Sequence, residues 1–87
     1  MTYRLSVARS AAHALSETLP EAVAVAAFEF ITGALLENPQ RVGKPLRPPL
    51  DGQWSARRGQ YRVIYKINDA EALVDVRQIS HRADAYR

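Results

Sequence analysis

Residues 55–65 read Ser55-Ala56-Arg57-Arg58-Gly59-Gln60-Tyr61-Arg62-Val63-Ile64-Tyr65, two short runs of strand-forming residues on either side of a glycine. Gly59 in the first position of a two-residue loop is what a type II′ hairpin turn requires. A loop of that length sets the register of the two strands, Gln53 to Arg58 and Gln60 to Ile67. Arg58 then faces Tyr61, Arg57 faces Arg62, Ala56 faces Val63 and Trp54 faces Tyr65. Three arginines fall within six positions of this hairpin, an unusual load of one charge for the middle of a sheet.

A third strand candidate, Ala72 to Ile79, follows the turn Asn68-Asp69-Ala70-Glu71. With Asp69 and Ala70 at the centre of that turn, Tyr65 faces Val74, Val63 faces Val76, Ile64 faces Asp75 and Arg62 faces Arg77. One sheet face carries Trp54, Ala56, Val63, Tyr65, Ile67, Val74 and Val76, the expected core. The other carries Ser55, Arg57, Arg62, Ile64, Asp75 and Arg77, with Arg57, Arg62 and Arg77 forming a row across three strands. Like charges directly opposite one another in a sheet destabilise it by roughly 0.2–1 kcal/mol per pair. Asp75 can offset part of this as a structural ion pair, which leaves a purely structural reading open. Against it stand the further cations Arg58, Arg82 and Arg87, and Arg41, Lys44 and Arg47 in the preceding loop. A polyanion across this face would balance them, and single-stranded nucleic acid is favoured because its phosphates recur while Tyr61, His81 or Tyr86 can stack on bases.

Upstream, Thr2 to Val7 alternates with the two-residue period of a half-buried strand. From Arg9 the spacing of Ala11, Ala12, Ala14, Leu15 and Leu19 predicts a short helix with a cap at Ser10. Pro20 suits the first turn of a second helix, in which Val23, Ala26, Ala27, Phe30, Ile31, Ala34 and Leu35 recur at helical spacing until Asn38-Pro39 ends it. Gly33 inside it is read as a point of close packing, and His13 as structural. Asn38 to Leu50 is read as a stiff, basic, proline-rich surface loop. The order strand, helix, helix, strand, strand, strand predicts an α+β fold with two N-terminal helices on one face of a small antiparallel sheet.

The 87 residues, 47% of them hydrophobic, suffice for one modest core, so residues 1–87 are expected to form one domain. There is no cysteine, and His13 and His81 lack neighbours at metal-ligand spacing, so neither disulfide, metal nor cofactor is expected. Arg4 and Arg9 interrupt the apolar N-terminal runs, which excludes a signal peptide or membrane span and predicts a cytoplasmic protein. Net charge is +3. Glu17, Glu21, Glu29 and Glu37 sit in the helical half, whereas cations dominate from Arg41 onward. The C-terminal His81-Arg82-Ala83-Asp84-Ala85-Tyr86-Arg87 joins charge to groups able to move a proton, since an imidazole exchanges one near neutral pH and a phenol can donate one.

The stretches "RVGKPLRPPLDGQWSARRGQYRVIYKI" and "VRQISHRADAYR" together resemble the RelE/ParE toxin superfamily, especially RelE-like members from actinobacteria. The resemblance spans essentially the whole chain. It implies the microbial ribonuclease-like α+β fold, a cognate antitoxin that wraps the toxin, and, for RelE-like members, cleavage of mRNA in the ribosomal A site. It implies that Arg62 is the catalytic arginine, Arg82 a phosphate-binding arginine and Tyr86 the C-terminal tyrosine. His81 stands where some members have histidine and others lysine, and is the candidate general base. Arg41, Lys44, Arg47, Arg57, Arg58, Arg77 and Arg87 are the candidate RNA-binding cations. Better known RelE-type toxins carry lysines on the strand before the hairpin, where this chain has Gln53 and Ser55. Three outcomes stay open: His81 takes over the role of the lysines, Lys44 or Arg57 supplies the missing positive charge, or cleavage is weak. A ParE-like inhibitor of DNA gyrase and a degenerate toxin that only binds its antitoxin are the alternatives.

Overall fold

A computed structural model describes residues 2–81. Strand β1 (Arg4–Val7) leads into helix α1 (Arg9–His13), which continues as a π-helical turn over Ala14–Thr18. Helix α2 (Glu21–Phe30) likewise widens into a π-helical turn, Ile31–Leu35. A one-turn helix α3 (Pro39–Val42) precedes strands β2 (Lys44–Pro45), β3 (Trp54–Arg58), β4 (Tyr61–Asn68) and β5 (Leu73–His81). The sheet order is β1-β5-β4-β3-β2. The α+β fold with helices covering one sheet face is as the sequence predicts.

The β3–β4 register is the expected one: Trp54 with Tyr65, Ala56 with Val63, Arg57 with Arg62, Arg58 with Tyr61. Gly59 has φ 54°, while Gln60 is not among the residues with positive φ, as a type II′ turn requires. The β4–β5 register differs from expectation. Asn68 pairs with Leu73, so four residues form the loop, and Tyr65 pairs with Val76 in place of Val74. The cause is local: the Glu71 N–H donates to Asn68 Oδ1 at 3.1 Å and Asn68 Nδ2 donates to Glu71 Oε2 at 3.2 Å. This asparagine turn, closed by Ala72 in the left-handed region at φ 50°, takes up two more residues than a two-residue loop. A shift of two keeps every side chain on its expected face. A bulge at Arg77 adds one more residue, so Arg62 pairs with Ser80 and not with Arg77.

Four further expectations are corrected. β1 runs parallel to β5, with Leu5 beside Val74 and Val7 beside Val76; alternation specifies a strand's buried face, not its direction. Ser10 does not cap α1: Ala8 is the N-cap, and Ser10 Oγ donates to the Arg77 carbonyl at 3.3 Å. A Cβ added at Gly33 would meet nothing within 4 Å, so close packing is not its role. The segment read as a surface loop contains α3 and the edge strand β2, whose Lys44 pairs with Ser55 and Pro45 with Trp54.

Ala11, Ala14, Leu19, Ala27, Ile31 and Leu35 from the helices bury against Ala56, Val63, Tyr65, Val74 and Val76 of the sheet. Tyr65 sits at the centre. Its hydroxyl donates to the carbonyl of buried Pro39 at 2.7 Å, which ties α3 to β4. Burial pushes its phenol up to about 12, partly opposed by nearby Arg58. Gly43 has an extended backbone that any residue adopts, but an added Cβ would collide with the Tyr65 hydroxyl and lie 2.9 Å from the Ser55 carbonyl oxygen. Glycine is required there for space.

Gly43→Ala is therefore expected to lower stability by at least ~1 kcal/mol in chemical denaturation. Tyr65→Phe removes the partner of the Pro39 carbonyl and should cost about 1–3 kcal/mol at neutral pH. Because folding raises the phenol above its ordinary 10.0, its contribution is complete below pH 10 and is lost as pH rises toward 12. Denaturation curves across this window should fall less steeply for Tyr65→Phe than for the wild type; parallel curves would contradict the assignment. Some slope should remain from Tyr61, which burial also raises.

Candidate nucleic-acid interface

The pleat sorts every cation of the sheet. Tyr61, Val63 and Tyr65 are buried beneath the helices, so their neighbours Arg62, Ile64 and Lys66 project from the opposite, helix-free face. Pairing carries this alternation across the sheet. Arg57, Arg62 and Ser80 form one row, Lys44, Ser55, Ile64 and Gln78 the next, and Lys66, Asp75 and Ser6 a third.

Arg57 and Arg62 stand directly opposite one another and both are exposed. Among the described residues the ion pairs are Arg77 with Asp75, at 3.0 Å, and Arg4 with Glu71, at 3.8 Å. Neither engages Arg57, Arg62, Lys44 or Lys66. The opposed pair thus keeps its repulsion, about 0.2–1 kcal/mol and less in salt.

The other expected site residues divide. Arg77 leaves the row: it occupies the bulge and its guanidinium is held by Asp75. Arg58 belongs to the helix side, where its guanidinium stacks 4.7 Å from the centre of the Phe30 ring and donates to the carbonyls of Arg57, at 2.8 Å, and Val42, at 3.4 Å. It joins the hairpin to the helices. Lys44 lies beside Ser55 on the helix-free face. Arg41 in α3 and Arg47 in the β2–β3 connection are exposed but lie off the paired rows. His81 pairs with Tyr61, whereas Arg62 pairs with Ser80, so the pleat sets His81 and Arg62 on alternate faces. The imidazole Nε2 lies 3.4 Å from Gln60 Oε1 at the end of the sheet. Arg82, Tyr86 and Arg87 lie outside the described residues.

Two features escape the sequence reading. Lys66 opposes Asp75 on the cationic face; the signal was present in the alternation Arg62, Ile64, Lys66, but the expected register placed no acid beside it. On the helix side an apolar groove of about 420 Å³ runs between the first and second helical segments, lined by Leu15, Leu19, Val25 and Phe28 with Glu21 and Glu29. Val25 is 53% and Phe28 54% exposed, large apolar side chains that the fold leaves in solvent. No cluster of three metal-ligating side chains occurs among the described residues, and no helix among them is long and apolar enough to cross a membrane.

Residues 8–86 match the family model of the ParE toxin of type II toxin-antitoxin systems, parDE. Two relatives from Mycobacterium tuberculosis are similar. Toxin RelE is 47% identical over 85 residues, covering 98% of this chain and 87% of its own, and toxin RelG is 49% identical over 69 residues, 79% of each. The crystal structure of the toxin-antitoxin complex RelBE2 from the same organism superposes with a TM-score of 0.91 at 42% identity, covering 97% of this chain and 95% of the matched one. The isolated Escherichia coli RelE toxin shares the fold, with a TM-score of 0.73 at 20% identity and coverage of 97% and 90%. With almost its whole length matched by the family model and by these relatives, the chain belongs to the RelE/ParE family and is a RelE-like toxin of a type II toxin-antitoxin system.

Proposed function

We propose that this protein is a ribosome-dependent endoribonuclease that cleaves mRNA in the A site and is neutralised by a cognate antitoxin. The observation that carries the reading is the opposed, exposed pair Arg57 and Arg62, to which no described acidic side chain is ion-paired. Two guanidiniums side by side present planar donor forks to one phosphodiester. In the reaction the 2′-hydroxyl gives its proton to water or to His81, and its oxygen attacks the adjacent phosphorus to form a pentacovalent phosphorane. The bond to the 5′-oxygen of the next nucleotide breaks as that oxygen takes a proton from Tyr86 or from water. Negative charge grows on the phosphoryl oxygens, where preorganised cations are worth most. Arg62 and Arg57 fill that role, and Lys44 stands across from Ser55, beside the position where better known members carry a lysine on the strand itself. The cations come from the chain, so the chemistry proposed requires no metal. Arg82 joins as a further phosphate ligand and Tyr86 as a stacking group or acid, both on sequence grounds.

His81 is the imidazole of the site, yet it alternates with Ser80, the residue that pairs with Arg62. We therefore assign the rate chiefly to charge stabilisation and to orientation of the RNA on the ribosome, with His81 at the margin. The antitoxin is proposed to use both faces of the toxin: acidic residues over the cationic face, and an apolar segment in the groove that leaves Val25 and Phe28 exposed. The complex reported for RelBE2 supports such a partner.

Induction in cells should halt translation and create new mRNA 5′ ends while plasmid supercoiling stays normal. Intact mRNA with blocked gyrase would move the chain to the ParE-like class of gyrase inhibitors. Arg62→Ala should reduce cleavage at least 10²-fold with an unchanged or raised melting temperature, because the face it leaves is not the core. His81→Gln should stay within about tenfold of wild type; a loss of 10²–10⁴ would make His81 the general base.

Phe28→Asp should weaken antitoxin binding about 30-fold or more, as for an aromatic anchor, while RNA cleavage by the free toxin is unchanged. Undiminished affinity in titration calorimetry would place the apolar anchor elsewhere.

A further inference from the structure

The cationic face is interrupted by one carboxylate. Asp75 lies in the third row, opposite Lys66, at the edge of a recess of about 430 Å³ that Gly52, Asn68 and Leu73 also line. A carboxylate on a phosphate-binding face works against affinity by repelling the backbone it must admit. Its presence therefore needs a separate account. The ion pair with Arg77 occupies one oxygen, Oδ2, and Oδ1 makes no hydrogen bond among the described residues. Asp69, in the turn, also lines the recess, and its Oδ1 accepts from the hydroxyl of Tyr3 at 2.5 Å and from Nε2 of Gln40 at 3.0 Å, while Asn68 is engaged in the asparagine turn. Asp75 differs from Asp69 in lying on the paired rows of the cationic face, opposite Lys66. Asp75 is thus held in place by an arginine and keeps acceptor capacity at a cavity mouth, with an exposed ammonium across the strand.

We propose that this recess is a base-reading subsite of the RNA face, with Lys66 as phosphate ligand and Asp75 as acceptor for guanine. The inference rests on the ribonuclease reading above, since it takes the bound polymer to be RNA. A carboxylate accepts from adjacent N–H donors, and guanine is the base whose Watson–Crick edge presents two, N1–H and the N2 amino group. Single-stranded RNA exposes that edge. Lys66 lies four residues from Arg62 along the same face of β4, roughly 13 Å away, so a chain held at Arg57 and Arg62 runs a short distance along the strand to reach it. Arg77 acts as a positioning residue that orients the carboxylate without touching the base.

The test uses the full-length toxin and synthetic pentaribonucleotides that differ only at the central base, guanosine, inosine or uridine, with dissociation constants measured by fluorescence anisotropy at fixed salt. Inosine lacks the N2 amino group, so wild type should bind the guanosine oligomer about tenfold more tightly than the inosine one, the effect of one hydrogen bond to a charged group. Asp75→Asn should bring the two within about twofold while leaving the uridine affinity equal or higher, because a repulsive charge has gone. Lys66→Gln should weaken all three oligomers alike and keep their ratios. Equal wild-type affinity for guanosine and inosine, or an Asp75→Asn variant that tightens all three oligomers in proportion, would overturn the subsite while leaving the RNA face standing. Failure of wild type to bind any of the oligomers would overturn the subsite together with the RNA reading beneath it.

Discussion

A two-residue loop leaves the β3–β4 hairpin one register, and in that register Arg57 must face Arg62. The rest of the molecule is arranged around this constraint. The same pairing brings Ala56 onto Val63 and Trp54 onto Tyr65, so the core and the repulsive pair are two sides of one ladder. Slipping by one residue would relieve neither, since it would turn Val63 and Tyr65 to solvent and the arginines to the helices. The helices, through Ala27, Ile31 and Leu35, hold the buried face shut. The backbone register of the charged face is thereby fixed, and a bound anion would offset the repulsion that remains between the two exposed arginines.

The division between two arginines adjacent in sequence shows how the fold distributes charge. Arg58 turns toward the helices and is absorbed by the ring of Phe30 and two backbone carbonyls. Arg57, one residue earlier, projects the other way and finds no ion-pair partner among the described residues. Arg77 is likewise neutralised locally, by Asp75. Arg57, Arg62, Lys44 and Lys66, without such partners among the described residues, share the helix-free face of β2, β3 and β4, whereas the glutamates of α2 flank an apolar groove on the other side. The fold thus presents two surfaces of different chemistry, one cationic and one apolar.

Much of this is legible in the residues. The turn glycine and strict alternation in β3 and β4 suffice for the hairpin register, and helical spacing suffices for the two N-terminal helices. What escapes is set by side chains acting on backbone at a distance from the pattern. The Asn68–Glu71 turn and the Arg77 bulge move Arg77 out of a row that pattern alone assigns to it. Pro39 and Gly43 look like loop residues, yet Pro39 is buried against Tyr65 and Gly43 is needed for the space that Tyr65 takes. His81 shows the limit of a motif: its neighbours in sequence mark it as chemical, but only the parity of β5 reveals that it alternates with the residue facing Arg62.

The central claim is that the sheet tolerates the Arg57–Arg62 repulsion because RNA supplies the missing negative charge. The direct measurement is a double-mutant cycle on unfolding free energy with Arg57→Ala, Arg62→Ala and the double variant, at low salt, with and without saturating single-stranded RNA. Without RNA the coupling should be unfavourable by about 0.2–1 kcal/mol. With RNA it should vanish or become favourable, since both guanidiniums then share a phosphate. A favourable coupling in the free protein, or one that RNA leaves unchanged, would contradict the account.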